Sequence, residues 1–422
     1  MPRPRKEEAP VVSPDVKNKL LKKIEQLNSR YYKENKLDPS STKPRVRLGA
    51  ELEKPDLIST GNPALDWALG GGIPEGTVVE IYGQPNSSKT VSAAYLMAEV
   101  QKRGKYIIYY STEESTPPFH AWELAGVDPS KVIFVDSRKY GEDGLNAMRQ
   151  LVMDETGLPD PDIGLIVIDS ISSLAPAAEV KSTDEKGEEG VTVGRLAALT
   201  SKMFRGIAGT GWTLEGCTIC IINQERSQIS IVPMPNLPTG GNAVRFYPKI
   251  VIHLKSGSKN DLIYDENKNV IGNTVRFTIE KNNTGTAPPY RSGSWTYRYM
   301  VGIDTVTPAI NTAMECGVIQ LSGRTYTIRW IEEVERDGET KREIVTTSVV
   351  GRKDLDELAH KQEILDKILH MNSEVLDYAK SHDIEFVDGI AVQFGKQVDV
   401  VELLLSAEEV VEEKGNISDE HN

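Results

Sequence analysis

Five short runs rich in β-branched and aromatic residues, TVVEIYG, YIIYYS, VIFVDS, GLIVIDS and CTICIIN, recur along the first half of the chain with helix-length segments between them. Runs that are apolar on both faces and separated by helices predict a mostly parallel sheet covered on both sides. The rhythm then changes. KIVIHLKS, TVRFTIEK and SWTYRYMV follow one another through turn-rich connections with no helical stretch between, which predicts antiparallel strands extending the same sheet. Upstream, Ser13-Pro14 supplies an N-cap and a first-turn proline, and Val16, Leu20, Ile24, Leu27 and Tyr31 give the helix that follows an apolar stripe at three- and four-residue spacing. Nothing local covers that stripe. The pattern alone leaves open whether it docks on its own domain or on a neighbouring subunit.

Past residue 303 the pattern predicts a smaller mixed α+β region, with a helix near 304–317, the hairpin-like VIQLSGRTYTIRW, and helical segments over 353–382. The stretch 371–405 shows no purpose in its pattern, and SAEEVVEEKGNISDEHN at the end is an acidic tail. The expected organisation is an N-terminal polar segment and helix over 1–50, a large α/β core over 51–302, a C-terminal domain over 303–405 and the tail over 406–422.

With 422 residues and 39% hydrophobic content the chain can bury a full-sized core. No apolar run approaches the roughly 20 residues of a membrane span, and MPRPRKEEAPVV lacks the apolar centre of a secretory signal, so a cytoplasmic location is expected. Three cysteines make no disulfide framework; Cys217 and Cys220 lie in an apolar run and point to opposite faces of a strand, which suits buried structural thiols better than a redox pair. A net charge of −13 argues against a wholly basic nucleic-acid binder and is silent on local patches.

The chemistry starts at GQPNSSKT, residues 83–90, which lies between the strand-like VVEIYG and the helix-like VSAAYLMAEVQKRG. Strand, loop and helix in that order are the setting of a phosphate-binding loop, in which successive backbone N–H groups and the positive helix end face phosphate, a lysine adds a full charge, and the next hydroxyl ligates magnesium. Gly83, Gln84, Pro85, Asn86, Ser87, Ser88, Lys89 and Thr90 form this loop, with Lys89 and Thr90 in the last two roles. Ser88 stands where such loops carry a second glycine. A serine costs nothing there if φ is negative, and on that footing the loop is expected to bind nucleotide; a plain serine-rich loop with a solvated lysine is the competing reading. GLIVIDS carries Asp169 to the carboxyl end of a strand, where it can hold the water shell of a magnesium ion. Glu113-Glu114 follow directly after YIIYYS, placing a carboxylate where a hydrolytic water needs orienting, or else at a solvated edge. Gln224 ends the strand-like IINQ, so four strand ends converge on one site.

LISTGNPALDWALGGGIPEGTVVEIYG, GLIVIDS, IINQ and TGGNAVRFY stand in the order and at the separations of the RecA family of homologous-recombination ATPases, which the chain resembles from about residue 45 to 300 and more faintly to about 370. The combination is more specific than any single motif. The resemblance extends to virus-encoded members, some of which also lack the second glycine. It implies a RecA-like phosphate-loop ATPase core with ATP and Mg2+ as cofactors, Glu113 as the water-activating base, Asp169 as the magnesium carboxylate, and Gln224 as the sensor that links nucleotide state to the DNA loops. His120 falls where the family places an aromatic that stacks on adenine, although a plain surface histidine fits the residue alone. In the family two lysines reach across the subunit interface to the neighbour's ATP; Lys281 matches the first, but the second position is Asn283, which brings no charge and implies weaker stabilisation in trans. By the same resemblance the N-terminal helix docks on the adjacent protomer.

Family members hold DNA with two loops. The first here, EVKSTDEKGEEGVTVGR, carries more acid than base, so contacts are expected from its edge and the following helix: Arg195, Ser201 and Arg205. The second, ERSQISIVPMPNLPTGG, offers Arg226 to phosphate, Gly240 and Gly241 as backbone donors with Asn242 beside them, and Ile229, Ile231 and Met234 as apolar wedges between bases, or as side chains packed on their own domain. The function implied is an ATP-dependent recombinase that forms head-to-tail helical filaments on single-stranded DNA and exchanges strands with double-stranded DNA, with single-strand-binding and loader proteins as further partners and no membrane. A ring-forming DNA translocase on the same core, and a nucleotide-gated DNA-binding scaffold with little hydrolysis, are the alternatives.

Overall fold

The computed structural model describes residues 14–406 apart from 41–43, 53, 114–115, 137–139, 155–157, 187–193, 214–215, 227–236, 239–241, 257, 337–338, 383, 388–389 and 394–395. At its centre a sheet runs in the order Gly302–Ile303, Ser292–Arg298, Val270–Asn282, Ile250–Lys255, Val78–Gly83, Thr218–Arg226, Ile163–Asp169, Tyr106–Ser111, Val132–Asp136. The last six are parallel to one another and the first three join by antiparallel pairing. This is the mostly parallel α/β sheet with an antiparallel extension that the pattern predicts. The parallel strands are apolar runs because both faces are covered. Val79, Ile81 and Ile222 pack with Leu96 and Met97 of the helix Lys89–Lys102, whereas Ile166, Ile168 and Ile221 pack with Met148 and Phe204 on the other side. Cys217 and Cys220 fall into these two opposite cores as strand alternation requires, and burial pushes both thiols up to about 12.

The helix Pro14–Asn35 starts at the predicted proline. Its Leu20 and Leu27 are about half exposed, at 52% and 46%, and Asn28 ties it to the chain by a paired bond with the Val46 backbone, 2.8 and 2.9 Å.

A third core lies in the C-terminal part, where the helices Val306–Glu315, Arg352–Ala359 and Gln362–Ser381 pack on an antiparallel sheet. That sheet has three strands, Ile319–Ser322, Thr325–Arg336 and Glu339–Val350, one more than the predicted hairpin, because ETKREIVTTSVV pairs along its whole length with the strand before it. The stretch with no legible purpose contains a small sheet, Glu385–Val387, Ile390–Gln393 and Lys396–Gln397. Its far end is anchored by Asp399, which accepts two bonds from the buried Arg329 guanidinium at 2.7 and 3.1 Å. The acidic first loop also needs correction: its start belongs to a helix, Ala177–Lys186, whose Ala, Glu and Lys are good helix formers with Glu179 in the favourable first turn.

Candidate nucleotide site

The strand Val78–Gly83 delivers the loop, and the helix Lys89–Lys102 receives it. Gly83 has no room for a side chain, since a β-carbon there would collide with the Leu254 carbonyl of the neighbouring strand. Lys89 folds back over the loop, its Nζ donating to the carbonyls of Gly83 at 3.2 Å and Gln84 at 2.7 Å, and Ser87 Oγ donates to Gln84 as well. Thr90 Oγ1 donates to Asp169 Oδ2 at 2.8 Å. The loop from Pro85 to Thr90 shares a cleft of 830 Å³ with Glu113, Asp169 and Gln224.

Opposite the loop stands Glu113. Its Oε1 accepts from Gln224 Nε2 at 2.7 Å, from Ser173 Oγ at 3.1 Å and from Ser170 Oγ. The four strand ends therefore meet in space as the sequence predicts. Burial lowers the affinity of Lys89 for its proton, because an ammonium loses water there, with the nearby Asp169, Glu113 and Glu225 working the other way. Burial likewise raises Asp169, opposed by hydrogen bonds from Tyr109 and Thr90. These residues fit a magnesium nucleotide: a half-buried ammonium at the loop mouth, a hydroxyl and a carboxylate already in contact, and a cleft of nucleotide size.

Ser88 departs from the expectation. Its φ is +62° and ψ is 28°, the left-handed region, so the serine does not avoid the geometry that favours glycine. Its carbonyl accepts from both the N–H and the Oγ of Ser92 at 2.9 Å, which holds this turn into the helix, while its own buried Oγ has no hydrogen-bond partner among the described residues. Strain of about 1–2 kcal/mol and a buried lone hydroxyl both disfavour serine, against the extra backbone entropy a glycine loses. Ser88→Gly is therefore expected to stabilise the chain by about 1 kcal/mol in equilibrium denaturation; a destabilised variant would show that the hydroxyl is held by something that outweighs the strain.

The remaining predicted residues fall outside this cluster. His120 is exposed, and its Nε2 lies 2.7 Å from the carbonyl of Tyr299, whose residue lines the cleft. Lys281 Nζ donates to the carbonyls of Arg245 and Phe246 at 3.2 and 2.9 Å, away from its own chain's cleft. Arg195 opens the helix Arg195–Thr210 and donates to the Ala178 carbonyl, joining the two helices that flank 187–193; Ser201 and the exposed Arg205 lie further along it. Arg226 ends its strand opposite Leu237, and Asn242 opens the short helix Asn242–Phe246. Ile229, Gly240, Gly241, Ile231 and Met234 lie outside the described residues.

Sequence reasoning missed the hydroxyls. Tyr109 OH donates to Asp169 Oδ2 at 2.6 Å, and Thr112 Oγ1 accepts from Ser170 N–H at 2.9 Å. The only signal was polarity: a tyrosine inside an apolar run, and a serine cluster directly after Asp169. Among the described residues no helix is long and apolar enough to cross a membrane.

A profile of the RecA N-terminal domain matches residues 40–304. Protein RecA of Trichormus variabilis is 34% identical over 283 residues, covering 67% of this chain and 74% of that protein, and Protein RecA of Acidothermus cellulolyticus is 35% identical over 286 residues, covering 67% and 77%. Among solved structures, a RadB recombinase superposes with a TM-score of 0.42 at 20% identity, over 58% of this chain and 98% of that one. Matched over most of its length to that domain, and at this identity to those proteins, the chain belongs to the RecA family of homologous-recombination ATPases.

Proposed function

We propose that this chain is a DNA-dependent ATPase that assembles head to tail on single-stranded DNA and, with ATP at each interface, pairs it with a homologous duplex and exchanges strands. The observation that carries this reading is the 2.7 Å bond from Gln224 to Glu113. One end of that bond lies in the phosphate cleft. The other, Gln224, directly precedes Glu225, the first residue of the second loop, so a change at the γ-phosphate is felt at the root of a DNA loop.

Hydrolysis follows from the same groups. Glu113, held by Ser170, Ser173 and Gln224, accepts a proton from water while the water oxygen bonds to the γ-phosphorus and the bond to the β-phosphate oxygen breaks, leaving its electron pair on ADP. Lys89 and the loop N–H groups meet the phosphate charge. Thr90 and Asp169 would hold Mg2+, which neutralises phosphate charge when bound. In the assembly Lys281 reaches the neighbour's nucleotide and Asn283 adds no charge, and His120 borders the adenine. Arg195, Ser201, Arg205, Arg226 and Asn242, with Ile229, Gly240 and Gly241, contact DNA by backbone and shape. Hydrolysis resets the filament to its weak-binding state, and single-strand-binding and loader proteins act on its assembly.

The half-exposed Leu20 and Leu27 on a helix tied down at Asn28 support assembly, because a neighbouring copy would cover them. Negative-stain images with single-stranded DNA and a non-hydrolysable ATP analogue are expected to show helical filaments. Closed rings would favour the translocase, and dispersed monomers would overturn assembly altogether.

A further inference from the structure

On the sheet face away from the phosphate-loop helix, a carboxyl group sits where none is needed for nucleotide binding. Glu80 is 1% exposed in the middle of the strand Val78–Gly83. Its Oε1 accepts from Asn223 Nδ2 at 2.8 Å, and Asn223 Oδ1 accepts from the backbone N–H of Gln224 at 2.8 Å. The Gln224 side chain then donates to Glu113. Four residues form one hydrogen-bonded line from the sheet interior to the phosphate cleft.

Taking Glu113 and Gln224 in the roles given above, we propose that Glu80 is a positioning residue for hydrolysis, orienting Gln224 and through it Glu113 by way of Asn223.

The wiring has one allowed direction. Asn223 is fully buried, and its amide oxygen must face the Gln224 N–H, which directs its NH2 group at Glu80 and requires an acceptor there. An apolar residue at position 80 removes the Glu80 acceptor from that NH2 and with it one of the bonds that orient the amide. Gln224 then loses a bond at the point where its strand pairs with Gly83. A misplacement of well under an ångström at Glu113 slows proton removal from water.

The second carboxyl oxygen, Oε2, is buried with no hydrogen-bond partner among the described residues, a place that tolerates a neutral acid and penalises an anion. Burial accordingly pushes Glu80 up to about 8, with Asn223 opposing. The titratable and charged groups around it are Tyr82 on its own strand, Glu225 and His253 on the two neighbouring strands, Glu280 and Lys281 beyond, and Arg245 on the helix Asn242–Phe246. Glu280 strengthens the upward push, and Arg245 and Lys281 oppose it. An unfolded glutamate releases its proton near 4.5, so the stability contributed by the protonated form is whole below that pH and is lost as pH rises through about 8.

The test is steady-state hydrolysis by the full chain on single-stranded DNA at pH 7, for wild type, Glu80→Ala, Glu80→Gln, Asn223→Ser and Glu113→Gln. Glu80→Ala is expected to lose at least about tenfold in kcat with KM for ATP within about twofold. Glu80→Gln keeps the acceptor for the Asn223 NH2 and should recover kcat to within about threefold at pH 7. A wild-type kcat in Glu80→Ala, or a Glu80→Gln as slow as Glu80→Ala, would each overturn the proposal. Should Glu80→Ala fail to fold, Asn223→Ser, which breaks the same line between Glu80 and Gln224, decides in its place: a wild-type kcat there overturns the proposal. A Glu113→Gln chain as active as wild type would overturn the site assignment and the role of Glu80 with it, whereas an inactive Glu113→Gln beside an unimpaired Glu80→Ala would overturn the role of Glu80 alone.

Discussion

Lys89→Ala is expected to weaken ATP binding by at least about thirtyfold and to reduce DNA-dependent hydrolysis to background. The ammonium is the one full positive charge the loop itself contributes, and it already lies against the carbonyls of Gly83 and Gln84 at the mouth of the cleft. Removing a charge-assisted donor from a partly buried phosphate site typically costs about 2–5 kcal/mol. The nucleotide-free chain should not lose stability in parallel. Burial lowers the lysine's proton affinity, which means that folding penalises the ammonium; the penalty is whole below the folded pKa and is relieved as pH rises from there to the unfolded value of 10.5. Alanine removes that penalty along with the charge. Titration with a fluorescent ATP analogue, read beside thermal unfolding of the same samples, separates the two effects, and unchanged affinity would contradict the placement of the phosphates in this loop.

Glu113→Gln should separate binding from chemistry. Loss of a positioned general base typically lowers the rate by about 10²–10⁴, while an isosteric amide leaves the cleft's shape and the loop's phosphate contacts in place, so ATP affinity should change by no more than a few fold. The glutamine still offers a carbonyl oxygen to Ser170, Ser173 and Gln224, which keeps the side chain where the carboxylate was. Single-turnover phosphate release on single-stranded DNA measures the chemical step directly. Equal rates in the two chains would remove Glu113 as the base and favour a nucleotide-gated DNA-binding protein that hydrolyses slowly or not at all. The combination expected, tight binding with stalled chemistry, would also hold the proposed filament in its ATP-bound state.

Much of the core was legible because both-face burial writes itself into the sequence as a run. GLIVIDS and CTICIIN had to be central strands, since residues such as Ile166, Ile168, Ile219 and Ile221 have no exposed face on which a polar residue could alternate. The third strand of the C-terminal sheet was missed for the opposite reason. In ETKREIVTTSVV most described side chains are only partly buried or exposed, so neither a run nor a clean alternation marks it, and its partner is supplied by the strand before it. The helix Ala177–Lys186 was hidden by its charge, which reads as loop when the surface carrying it is unknown.

What the sequence determined by itself are the features whose cause is local. The strand–loop–helix around residues 83–90 and the arrival of Asp169 at a strand end depend on residues a few positions apart, and spacing along a chain reports such relations directly. The left-handed turn at Ser88, the Tyr109 hydroxyl on Asp169 and the line from Glu80 through Asn223 to Glu113 were decided only by tertiary structure. Tyr109 and Asp169 are 60 residues apart and Glu80 and Asn223 are 143 apart, so these pairs meet only once the strands take their order in the sheet. A backbone angle and a hydrogen bond over such distances belong to the packing of whole elements, and no periodicity within one element carries them.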